Sequence, residues 1–60
     1  METLTKDAAD LFRIAVTVAG FDAAEVMREI VRLQRGRDAK ASMPTVERAL
    51  QIVSDRQPVA

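Results

Sequence analysis

Sixty residues, nine Lys and Arg balanced by nine Asp and Glu, and no His, Cys, Trp or Tyr leave little room for chemistry. Without His or Cys, no Cys/His zinc site, thiol or imidazole catalyst or disulfide can be built, so no enzyme activity, metal, cofactor or small-molecule substrate is expected. The absence of a long apolar run and of a leader pattern points to a cytoplasmic chain with no membrane partner. One small core is all this length supports, so residues 1–60 read as a single helical domain with frayed ends at 1–4 and 57–60. Short chains without metal or disulfide commonly find further apolar burial in a symmetric copy, which points to a homodimer.

From Thr5 to Ala19, the residues Ala8, Leu11, Phe12, Ala15, Val18 and Ala19 recur at three- and four-residue intervals and define the buried face of a first helix capped by Thr5. Gly20 supplies the left-handed position that ends it. Asp22 can cap the next helix, with Glu25 as the reciprocal half of a capping box and Phe21 stapled on Val26. A second helix is expected over residues 23–35, with Val26, Met27, Ile30, Val31 and Leu33 inward and Glu25, Arg28, Glu29 and Arg32 outward. Gly36 closes it, and a polar loop runs from Arg37 to Ala41. Ser42 is a candidate cap, and Pro44 fits only the first turn of a third helix. Met43, Val46, Ala49, Leu50 and Val53, with Ile52 beside them, form an apolar seam suited to a dimer or partner interface. Met27 and Met43 read as fillers of apolar gaps.

Residues Arg13 to Val18 also alternate as a strand would, with four β-branched residues in six. Followed by two helices, that strand would give a ribbon-helix-helix dimer, the alternative to the all-α, three-helix reading with a helix-turn-helix corner. The helical reading is favoured because the segment continues the periodicity that starts at Asp7, and because Gly20, Phe21 and Asp22 each have a separate role in a corner. Asp7 and Asp10 share a helix face, where two carboxylates could suggest paired acid–base work; a favourable interaction with the helix dipole accounts for them better.

Neutrality hides an asymmetry. Residues 1–27 carry a net −3 and residues 28–60 a net +3, with five cations and two anions between Arg28 and Lys40. That stretch is a candidate phosphate footprint. With the second helix in the major groove of double-stranded DNA, Ala24, Glu25 and Arg28 would face base edges, while Arg32, Arg35, Arg37 and Lys40 would hold phosphates.

The stretch Leu33-Gln34-Arg35-Gly36-Arg37, followed by Ser42-Met43-Pro44-Thr45-Val46-Glu47-Arg48-Ala49-Leu50, resembles the closing part of Cro/repressor-type helix-turn-helix domains. Val26-Met27-Arg28 through Thr45-Val46 and Ala49-Leu50 to the Pro-containing tail is similar, more narrowly, to small phage anti-CRISPR-associated regulators. The resemblance spans about the last 35 residues. It implies a dimeric autorepressor of a phage or mobile element, with the third helix around Val46, Ala49, Leu50 and Val53 at the dimer interface. The chain departs from that pattern in its long first helix, in Val16 where the family keeps Ala, and in Glu25 and Glu29 on the face assigned to DNA. The competing expectation is a protein-binding adaptor or inhibitor that docks an amphipathic helix on a larger partner.

Overall fold

The computed structural model describes residues 3–37 and 39–57. Three helices follow one another, α1 (Lys6–Thr17), α2 (Ala23–Leu33) and α3 (Met43–Arg56), and the described residues contain no strand. The ends expected to fray fall partly outside the described residues, namely 1–2 and 58–60. Within them, Thr3 and Leu4 are held: Leu4 forms a parallel bridge with Ala41, the Ala41 N–H donates to the Thr3 carbonyl at 2.8 Å, and the Thr5 N–H donates to the Ala41 carbonyl at 3.0 Å. Ala41 is fully buried there, although its loop reads as polar.

The first helix starts where its cap is. Thr5 Oγ1 accepts from the Ala8 N–H at 3.3 Å, and from there the helix runs straight through the disputed segment to Thr17. The β-branched run is accommodated because Ala8 and Ala15 bury their small side chains, and because Thr17 Oγ1 donates to the Arg13 carbonyl at 2.8 Å within the helix. Tertiary packing thus overrides a local strand preference, and the ribbon-helix-helix alternative is excluded. The helix stops two residues short of Ala19, which leaves Val18 79% exposed where the periodicity placed it in the core.

At Gly20 the backbone takes φ +79°, a region that side chains bearing a Cβ rarely enter, and the following Phe21 N–H reaches back to the Ala15 carbonyl at 3.1 Å. Phe21 packs partly buried against the cluster that contains Val26. Asp22 Oδ1 accepts from the Glu25 N–H at 3.0 Å, so the cap forms as expected. Among the described residues, the Glu25 carboxylate makes no return bond, and only half of the capping box is built. A second left-handed glycine, Gly36 at φ +82°, follows α2.

Helix α3 packs against both α1 and α2 and carries the centre of the core. Ala8, Val26, Ile30, Ala41, Val46, Ala49 and Val53 are all buried in one cluster. This corrects the reading of the α3 seam: Val46, Ala49 and Val53 are consumed by the chain's own core, and only Met43 and Leu50 keep partial exposure. Six of the seven core positions lie on the three helices, three of them on α3, and Ala41 lies in the loop before α3. Ser42 makes no capping bond; its hydroxyl lies 3.4 Å from Thr45 Oγ1, and Pro44 sits in the first turn.

Candidate nucleic-acid interface

Helix α2 sorts its charges by phase. Val26 and Ile30, four residues apart, set the inward direction, and Glu29 lies three residues after Val26 on the same side. Glu29 is therefore 2% exposed, contrary to its expected place on the outer face. Val31, one residue beyond Ile30, is turned by about 100° and stands 60% exposed, where it was expected to be buried.

Glu29 survives burial because both of its oxygens are filled. Arg32 Nε and Nη2 donate to Oε1 at 2.9 and 2.6 Å, and Arg56 Nη1, from the last turn of α3, donates to Oε2 at 2.5 Å. Burial works to raise the Glu29 carboxyl, but the hydrogen bonds and positive charges of Arg32 and Arg56 outweigh it. The group therefore titrates below its ordinary 4.5. Arg32, expected to hold a phosphate, is thus engaged inside the chain. Together with Arg56 it clamps α2 to the end of α3.

The outward side of α2 carries three exposed residues, Ala24, Arg28 and Val31, at spacings of four and three, and Arg35, four residues after Val31, continues the stripe into the turn beyond the helix. Glu25 is partly buried beside the cap. Arg35, Arg37 and Lys40 are exposed at the helix end and in the loop after it. Among the described residues, Arg28, Arg35, Arg37 and Arg48 enter no ion pair. Arg37 and Arg48 line one open groove of about 230 Å³ with Leu33, Pro44 and Thr45, where the end of α2 meets the start of α3.

Arg48 is a residue the sequence reading passed over. The signal was available: Arg48 follows Pro44 by four residues, so the first full turn of α3 brings it up beside Pro44, against the loop that carries Arg37. The candidate interface therefore comprises the α2 stripe and this groove. The acids Asp7 and Asp10 lie on α1, Asp10 within 3.6 Å of Arg13. No group of acidic residues among those described could hold a metal ion, and no described helix is long and apolar enough to cross a membrane. Compared with known proteins, the chain matches no family model, no curated protein and no solved structure.

Proposed function

We propose that this chain is a small DNA-binding regulator that presents the outward stripe of α2 to the major groove. The observation that carries the reading is the withdrawal of Glu29 into the core. It removes one of the two acids from the face assigned to DNA and leaves Arg28 and Arg35 there without ion-pair partners among the described residues. Arg28 is long enough to donate twice to a guanine edge, Ala24 suits a thymine methyl, and Glu25 suits the amino group of a cytosine. Arg35, Arg37, Lys40 and the added Arg48 suit phosphate oxygens. Arg32 has no part in this, since its guanidinium is held by Glu29.

The second reading, docking on a larger protein, is favoured by Ile14 and Val18 of α1, which stand 51% and 79% exposed. Ionic strength separates the two readings, because each phosphate contact releases counterions and an apolar face releases none.

The test is a gel-shift titration against the region upstream of the chain's own gene and a scrambled fragment, at low and physiological salt. Retention of the upstream fragment that weakens with salt is expected. Arg28→Ala should relax sequence preference at a cost of about 1–3 kcal/mol, whereas Arg37→Ala should weaken all sequences alike and lower the salt slope by about one. No retention of either fragment at low salt would end the DNA reading in favour of the protein partner.

A further inference from the structure

Of the four large apolar residues that the fold leaves exposed, Met43 lies at the start of α3, and the other three, Ile14, Val18 and Val31, fall in two stripes of opposite charge. On α1, Ile14 and Val18 are four residues apart and exposed, with Asp10 four residues before Ile14 and Asp7 three before that. On α2, Val31 is exposed, with Arg28 three residues before it and Arg35 four residues after it, in the turn that follows the helix. Each stripe thus sets a charged side chain four residues from an exposed aliphatic one. The signs are complementary.

We propose that the α2 stripe docks, antiparallel, on the α1 stripe of a second copy of this chain. Ile14 then meets Val31 of the other copy, Asp10 stands beside its Arg35, and Val18 covers the aliphatic stem of its Arg28. Three observations select a second copy over another partner. Both complementary stripes occur on the one chain, with matching steps between charge and apolar residue. A chain of net charge zero has no overall repulsion to oppose self-association. In the α3 seam, the other candidate for self-contact, Val46, Ala49 and Val53 are buried in the chain's own core, which leaves only Met43 and Leu50 partly exposed there. Asp10 must leave or share its contact with Arg13, which is a small obstacle: that pair is 3.6 Å long, and its side chains are 57% and 71% exposed.

The docking covers Arg28 and Arg35. A second copy and DNA would then compete for one face, so that concentrated protein masks its own interface; this consequence, unlike the docking itself, rests on the DNA-binding reading.

The test is sedimentation equilibrium of the full chain without DNA, over a concentration series at low and high salt. The wild-type chain is expected to exceed its monomer mass of 6.6 kDa as concentration rises, and to return towards it in high salt. Asp10→Arg and Arg35→Glu should each abolish association, and the two combined should restore it by exchanging the charges. Ile14→Ser, which alters no charge, should also abolish it, with circular dichroism showing that each variant keeps its helices. A monomer at every concentration, association untouched by the single variants, or a double variant that stays monomeric would each overturn the proposal. A parallel gel shift separates the two readings: loss of DNA binding in all forms ends the competition while the sedimentation result stands, and retained DNA binding by monomeric Asp10→Arg at concentrations that mask the wild type supports it.

Discussion

The two sides of α2 hold the same kinds of residue under opposite rules. Inward, Glu29 accepts from Arg32 and Arg56 with both oxygens and sits among Val26 and Ile30. Outward, Arg28, Val31 and Arg35 are exposed, and among the described residues neither arginine enters an ion pair. An arginine three residues after a glutamate and an arginine one residue before it therefore have unrelated roles. The phase set by Val26 and Ile30 decides which cation becomes part of the scaffold and which is left exposed.

The sharpest way to break this comparison is to truncate one neighbouring residue on each side. Ile30 is 1% exposed and Val31 60%, one position apart on the same helix. Ile30→Ala should cost about 2–5 kcal/mol, from lost transfer energy and the cavity left behind. A chain of this length has roughly 3–9 kcal/mol of total stability, so that variant should unfold at far lower urea or stay largely unfolded. Val31→Ala should leave the urea midpoint nearly unchanged. Comparable losses at both positions would mean that Val31 is covered, and the two-sided description of α2 would fail.

The sequence makes the three helices legible because their boundaries rest on local chemistry. Thr5, Asp22 and Pro44 mark starts, and Gly20 and Gly36 supply the left-handed positions that follow α1 and α2. The site was legible only in outline. Periodicity alone puts Arg28 outside, but it cannot tell that Glu29 goes in, because burying a carboxylate depends on Arg56, 27 residues away. Nor can it tell an apolar seam that serves the chain from one that serves a partner: Val46, Ala49 and Val53 fit both, and packing against α1 and α2 decides. The bridge between Leu4 and Ala41 is invisible for the same reason, since it joins two segments with no strand pattern.

A smaller loss is expected when the buried carboxylate is made neutral. The folded chain holds Glu29 below its ordinary 4.5 and so binds that proton less readily than the unfolded chain does. The resulting stabilisation is fully present above 4.5 and is lost as pH falls through that value towards the lower folded one. Glu29→Gln should lower the urea midpoint near neutrality and flatten its decline below pH 4.5. An unchanged acid limb in Glu29→Gln would show that the clamp contributes no pH-dependent stability.

The smallest effect on stability should come from the outward arginines, and its smallness is informative. Arg28 is exposed and has no ion-pair partner among the described residues, so Arg28→Ala should shift the urea midpoint by no more than about 0.5 kcal/mol equivalent, and alanine's helix propensity should offset part of any lost packing. Arg56→Ala, which removes a cation of the same type from Glu29, should be clearly more destabilising, because it leaves one oxygen of a buried carboxylate without its donor. The pair of variants removes equal charge from the same half of the chain, so a difference in urea midpoint between them cannot come from net charge. It would measure how far the fold depends on the inward clamp and how little it depends on the outward Arg28.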